Sequence, residues 1–587
     1  MPAILSNISP YANNPQIVVA ALRALTDIAD AAVLADPSSP LDTQSVAEVV
    51  FSSQHLESLN AILSLSSSKL VLQTQSILVA GLITKLCREE KQQHALAISG
   101  VLDSLATRLA SFAVREGFVV PGAEALAEND GLLEAFPQPA ASEAKLGPIL
   151  EAIATILGDS KYRANRLVYS PAILAVFPSG QTSRILLDSK LDLEAAGFGS
   201  SRRLDLTAME CVLPSIPATV SRNTSTPHSS FATPDRADSQ LSTRNNSNRA
   251  LTHSLWDSNS PQLRSMADSD SESLESPLIP WLVHLVRSRT DSERLMAASV
   301  LTALYKAGLG SKNAREISIG LLVVPVLVEM IAKTDKSEND GPKPGKDQAT
   351  RRTILERAPL VLARLIIDCD YLQKSAFDCG AVKVLTRLLK RAYNPIETSD
   401  KPEMWSPHPN TGMDVEGAPP AAHLGQKGQN ADLAHLVKLR EAALKSIAAL
   451  AAGKEDYRKA LVAEDLVPYV VESLSEYPGK PKSPKGLKDR ATTDGPASTL
   501  NPSYGQNPLS VIIAGCHTVR MLARSVSILR TAIVDYGAAM PIFHFMKHPD
   551  LSVQTAATAT MVNLVVDVSP VREVSILLAI SNISWTI

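Results

Sequence analysis

His544 and His548 stand four residues apart in the stretch FHFMKH, a spacing that puts two imidazoles on one helix face and suits a pair of metal ligands. Cys516 and His517 lie one helix upstream. No carboxylate completes a ligand set, and His544 falls in the middle of an apolar run, so the pair reads as packing and loop histidines. Asp368 and Asp370 flank Cys369 near an expected helix end, an arrangement suited to capping or turn formation before acid–base work. Arg520, Arg524 and Arg530 are spaced along helices with no interleaved aromatics, which predicts solvated faces and no nucleic-acid groove. There is no GxGxxG after a strand, no phosphate-binding loop, no HExxH and no strand–turn–helix presenting a serine. These residues predict a chain that is not an enzyme, with no cofactor, no metal and no small-molecule substrate.

The elements around these residues are helical. Hydrophobic residues are 45% of the 587, aromatics only 4%, and the apolar content is Leu, Ala, Val and Ile, a helix-forming palette. A chain this long exceeds one compact core and predicts several domains or a repeat array. A formal net charge of −3 gives no footprint for nucleic acid or an anionic membrane. The five cysteines are scattered with no CxxC spacing, which reads as buried thiols in a reducing compartment. The N-terminus lacks a basic start and a sustained apolar run, so no signal peptide is expected. The apolar run from Ile317 to Ala332 carries Pro325 and Glu329 and is too short to span a bilayer, so no membrane insertion is expected. The expected localisation is cytoplasm and nucleus.

Repetition is the main signal. ISGVLDSLATRL with Gly100, DCGAVKVLTRLLKR with Gly380 and DYGAAMPIFHFM with Gly537 share one turn, and AEDLVPYVVESL puts Asp465 in the same place. A short helix precedes each turn, since Gly, and less readily Asp, can take the left-handed conformation that ends one helix before the next. A long third helix precedes each short one, as in KLREAALKSIAALAAG from Lys438 and SVIIAGCHTVRMLARS from Ser510. Asp550 is a predicted N-cap for the last of them. A three-helix unit of roughly 40 residues cannot bury its apolar face alone, so the units must stack.

Polar stretches interrupt the array. The expected division is helical repeats over 1–213, a disordered Ser/Asn-rich insertion over 214–276 and repeats over 277–573. Further disordered loops are expected near 334–350, 394–430 and 477–508. The run SDSESLES reads as an acidic linker that could also accept phosphates. An aberrant tail is expected over 574–587.

The unit, with Gly-Ala-Val or Gly-Ala-Ala at the start of its second helix, resembles an armadillo repeat. The resemblance implies an all-α, armadillo-type right-handed superhelical solenoid whose third helices line a concave groove for extended peptides or partner subunits. Import adaptors of this fold carry Trp and, four residues on, Asn along these helices. The matching Trp positions here hold Ser299, Leu360, Lys445, His517 and Ala559, and the Asn positions hold Ala303, Arg364, Ala449, Met521 and Asn563. Only Asn563 fits, so that mode of gripping basic peptides is not expected. Lys445, His517, Arg520 and Asn563 are the groove residues expected to face a partner.

A narrower resemblance follows residue order beyond the generic repeat. The stretch Arg524 to Glu573, with RSVSILRT and SPVRE, is similar to the armadillo repeat-containing protein 8 (vacuolar import and degradation protein 28) family. So are Asp370 to Pro395, Ala431 to Leu461 and Ala297 to Leu309. The resemblance implies the armadillo subunit of a GID/CTLH ubiquitin ligase. Its partners would be the LisH-CTLH scaffold subunits and a substrate receptor that selects targets such as gluconeogenic enzymes. After Glu573 the sequence departs from the family pattern, which predicts a C-terminally truncated form.

Overall fold

The computed structural model describes residues 2–10, 13–34, 43–65, 69–178, 276–309, 312–339, 346–396, 431–481, 502–524 and 527–565. Among them all regular structure is helical. Helices α1 (Pro2–Leu5) and α2 (Pro15–Leu34) precede a first unit of α3 (Thr43–Val50), α4 (Ser53–Ser64) and α5 (Leu70–Leu86). The second unit is α6 (Glu90–Ile98), α7 (Val101–Arg115), a short α8 (Ala123–Asn129) and α9 (Leu146–Leu157). In the third, α10 (Lys161–Val168) is followed by α11 (Pro171–Val176), then α12 (Leu278–Ser288) and α13 (Asp291–Lys306). The fourth comprises α14 (Lys312–Leu322), α15 (Val324–Asn339) and α16 (Lys346–Ile366), and the fifth α17 (Asp370–Asp378), α18 (Ala381–Arg391) and α19 (Ala431–Ala451). The sixth is α20 (Glu455–Ala463), α21 (Val467–Glu472) and α22 (Leu509–Leu522), and the last α23 (Ser527–Asp535), α24 (Ala539–Phe545) and α25 (Leu551–Val565).

The third helices form a ladder in which α2 packs on α5, α5 on α9, α9 on α13, α13 on α16, α16 on α19, α19 on α22 and α22 on α25. Small buried residues allow the close approach: Ala297, Ala298 and Ala303 in α13, Ala442 and Ala443 in α19, Ala556 and Ala557 in α25. Hydroxyls add cross-rungs. Ser446 Oγ lies 2.6 Å from the Pro359 carbonyl, Thr518 Oγ1 3.0 Å from Leu444 O and Thr560 Oγ1 3.0 Å from Cys516 O. The result is an all-α armadillo solenoid.

The turns between first and second helices have positive φ, at +85° for Gly100, +79° for Gly380 and +85° for Gly537. Asp465 holds the same place at +52°. A Cβ at Gly380 or Gly537 would meet nothing within 4 Å, so the left-handed backbone alone favours glycine there. Asp550 caps α25, its Oδ1 accepting from Ser552 N at 2.8 Å and Val553 N at 3.1 Å.

Two of the expected loops are in part ordered structure. The segment from 334 reads as loop because it is polar, yet α15 runs on to Asn339 and α16 opens at Lys346. Asp335 is fully buried and pairs with Arg387 Nε at 2.5 Å and Arg391 Nη1 at 2.8 Å, both on α18. The buried Asp335 carboxylate is thus satisfied by two arginines, of which Arg387 stays partly exposed, in a segment that the sequence reads as loop. Likewise the end of the 477–508 stretch is held down: Ile396 N donates to Ser503 O at 2.9 Å, Asn507 N to Glu476 O at 2.8 Å, and Tyr504 and Asn507 are buried. The remainder, 340–345, 397–430 and 482–501, lies outside the described residues, as do 179–275, most of the 214–276 insertion and the 574–587 tail.

Glu316–Lys336 is long and apolar enough to cross a membrane by length and composition, longer than the apolar run read from the sequence. It is a pair of repeat helices meeting at Val323, with Ile319, Val323, Leu327 and Ile331 buried.

Candidate protein-binding groove

The exposed edge of the ladder carries the polar residues of the third helices, and it differs along its length. Around α13 it is spanned by the chain itself. Arg357 of α16 reaches past α13, with Nη1 4.0 Å from Met296 Sδ, to an ion pair with Glu151 of α9. Arg364, one of the aligned Asn positions, pairs with Asp159 (Nε–Oδ1 2.8 Å) and bonds the Gly158 carbonyl. A side chain can reach from α16 to α9 only if the ladder bends toward this face. Ala297, Ala298 and Ala303 make α13 thin enough for that, and Ser299 is left half-buried. On the next rung, Arg352 pairs with Asp432, and Glu356 takes His435 Nδ1 at 2.7 Å and Lys438 Nζ at 3.6 Å. Hydrogen bonding to His435 and the charge of Lys438 hold Glu356 below the usual carboxylate range although burial opposes this.

Beyond α19 such bridges stop. Lys445 is exposed and bonds Glu441 Oε1 within its own helix at 2.5 Å, while Glu441 Oε2 accepts from Ser510 Oγ at 2.8 Å. On α22, His517 is half-buried, and burial pushes its pKa down, with the charges of Arg520 and Lys445 adding to the effect. Asn563 Nδ2 donates to the Arg520 carbonyl at 3.0 Å. The expected groove residues Lys445, His517, Arg520 and Asn563 therefore lie together on neighbouring rungs. Neither α22 nor α25 contains an Asp or Glu. Arg520 has no carboxylate partner among the described residues.

Between these regions sits a buried cation. Arg440 of α19 is fully buried and donates to Ala392 O at 3.0 Å, Asn507 Oδ1 at 2.9 Å and Tyr504 O at 2.7 Å, and stacks on Tyr393. Burial pulls its pKa down, partly offset by Tyr393 and Glu472. The Tyr393 phenol is pushed up to about 12 by burial and lies 2.6 Å from Ser473 Oγ. Arg440 thereby ties the chain leaving α18 to the chain entering α22.

The chemistry-bearing residues are dispersed. No group of three His, Cys, Asp or Glu residues could hold a metal among the described residues. His544 is exposed, and His548 Nδ1 accepts from Asp550 N at 3.0 Å, bracing the α24–α25 turn. Asp368 has φ +61° and closes the α16–α17 turn. Burial pushes the Cys87 and Cys516 thiols up to about 12, away from nucleophilic thiolate.

No family model matches the chain. It is 27% identical over 295 residues to GID complex subunit 5 of Schizosaccharomyces pombe (strain 972 / ATCC 24843), covering 50% of this chain and 30% of that one. It is 27% identical over 143 residues to armadillo repeat-containing protein 8 of Xenopus laevis, covering 24% of this chain and 16% of the relative. Similar solved structures include an engineered protein, target OR497 (16% identity, TM-score 0.31, covering 96% of this chain and 99% of that one). Another is the designed armadillo repeat protein YIII(Dq)4CqI (13% identity, TM-score 0.29, covering 49% and 82%). With the repeat and its ladder in view, this chain is similar in sequence, at modest identity, to GID complex subunit 5 and armadillo repeat-containing protein 8, and the matches span less than a third of either relative's length.

Proposed function

We propose that this protein is a non-enzymatic scaffold subunit of a GID/CTLH-type ubiquitin ligase. It docks on LisH-CTLH subunits and holds a substrate receptor, so that targets such as gluconeogenic enzymes are passed to degradation, and it works in the cytoplasm and nucleus. The observation that carries this is the match over 295 residues to a relative named as a subunit of the GID complex. An extended ladder with dispersed reactive groups also suits a surface for other proteins. Tagged protein purified from cells is expected to bring down RING and CTLH subunits, and a clean purification lacking them would remove the reading. A transport adaptor for basic peptides is disfavoured by the ion-paired arginines that lie across α13 and obstruct that face, and by the positive charge at Lys445 and Arg520, which repels such cargo.

A further inference from the structure

The exposed edge of α19, α22 and α25 has an unbalanced charge. Lys445, Arg520 and the neutral but titratable His517 share it, and Asn563 presents an amide beside them. Among the described residues, the carboxylate bonded to this strip is Glu441, which pairs with Lys445 and accepts from Ser510. Among the described residues of these units, the third helices carry Asp432 and Glu441, both on α19, with Asp550 capping α25, while others lie on first helices and their turns, such as Asp378, Glu455, Asp456, Glu464, Asp465 and Asp535. An i,i+4 pair at a surface contributes little, so Lys445 can exchange Glu441 for another carboxylate at small cost. Arg520 needs no exchange.

We infer that this strip takes an extended acidic segment of a partner protein, with one carboxylate on Arg520 and another on Lys445. The inference rests on the scaffold reading above and names the chemistry of what its groove holds. Charge complementarity selects the occupant: a basic segment meets two cations with no acidic residue on α22 or α25 to offset them. The planar guanidinium fork of Arg520 suits a carboxylate pair, and burial beside it strengthens the contact. His517, kept neutral at neutral pH by burial and by the two cations, gains a proton more easily once a carboxylate is seated.

The test uses the full chain and a short fluorescein-labelled peptide of alternating Glu and Ser, read by anisotropy at low salt. A Lys-Ser peptide and a single-stranded oligonucleotide of matched charge are the comparisons. The Glu-Ser peptide is expected to bind best, and Arg520→Glu to weaken it about tenfold or more. Lys445→Gln, at an exposed site that leaves the fold intact, is expected to weaken it about threefold. Lys333→Glu, an equal charge change on α15, is expected to alter it less than about twofold. Equal binding of the Lys-Ser peptide, equal loss with Lys333→Glu, or tighter oligonucleotide binding that Arg520→Glu abolishes would overturn the inference. Failure of the parent chain to bind the Glu-Ser peptide, with ligase subunits still recovered on it from cells, would sink the groove chemistry and leave the scaffold reading standing.

Discussion

The ladder from α9 to α16 and the ladder from α19 to α25 are built from the same unit, yet one face is closed and the other open. In the first, Arg357 and Arg364 spend their charge on Glu151 of α9, two rungs away, and on Asp159 in the turn that follows it. In the second, Arg520 has no such partner among the described residues, and Asn563 reaches back only one rung, to the Arg520 carbonyl. Arg364 and Asn563 hold the same aligned position. A long cation there locks the curvature, whereas a short amide joins neighbours and leaves the face free. An armadillo unit can therefore be switched from structural to presenting by the reach of one side chain.

Breaking the joint between the two regions should have the largest effect. Arg440→Met leaves Ala392 O, Tyr504 O and Asn507 Oδ1 without their donor in a dry site, and is expected to cost about 3–5 kcal/mol in chemical denaturation. A loss below about 1 kcal/mol would show the clasp to be dispensable. Next, thickening α13 should pry the closed face apart. Ala297→Leu is expected to cost about 1–3 kcal/mol and to raise hydrogen exchange in α9 and α16, whereas unchanged exchange would mean that α13 does not set the approach. Gly537→Val, in the open region, is expected to lose about 1–2 kcal/mol through its φ of +85°, with no steric clash. Equal thermal stability would contradict the turn geometry.

Arg357→Gln is expected to cost about 1 kcal/mol or less, because the pair is half-exposed, and to increase labelling of Met296 by a thioether-reactive oxidant. Protection equal to the parent would mean that the arginine is not the cover. The smallest effect is electrostatic. His517 has a folded pKa below its ordinary 6.5, so its contribution to stability is present above that value and fades as pH falls, when the unfolded chain binds the proton more readily. His517→Gln should flatten that part of the stability profile, and an unaltered profile would assign the slope elsewhere.

Much of the fold could be read from residues because its determinants are local. Gly100, Gly380 and Gly537 announce a left-handed turn, Asp550 a cap, and apolar spacing a long third helix. Lys445, His517 and Arg520 could be aligned on one face for the same reason. What stayed hidden depends on distant partners: Arg364 and Asp159 are 205 residues apart, and Asp335 finds Arg387 and Arg391 across a unit. A buried charge and a solvated one look alike until the neighbour is known, which is why the segment holding Asp335 reads as loop and why nothing in the sequence marks Arg440 as buried.

The third unit bears a different lesson. Its second-helix layer leaves the described chain at Pro178 and rejoins it at Ser276, yet fully buried Phe177 and Trp281 meet with ring centroids 5.6 Å apart, and α13 docks on α9 as any rung does on its predecessor. Aromatic stacking at the seam makes spatial adjacency independent of how much chain is spliced between. At that seam the spacing of the rungs is set by the contact between α9 and α13 and by the Phe177–Trp281 pair, not by the length of chain that joins them.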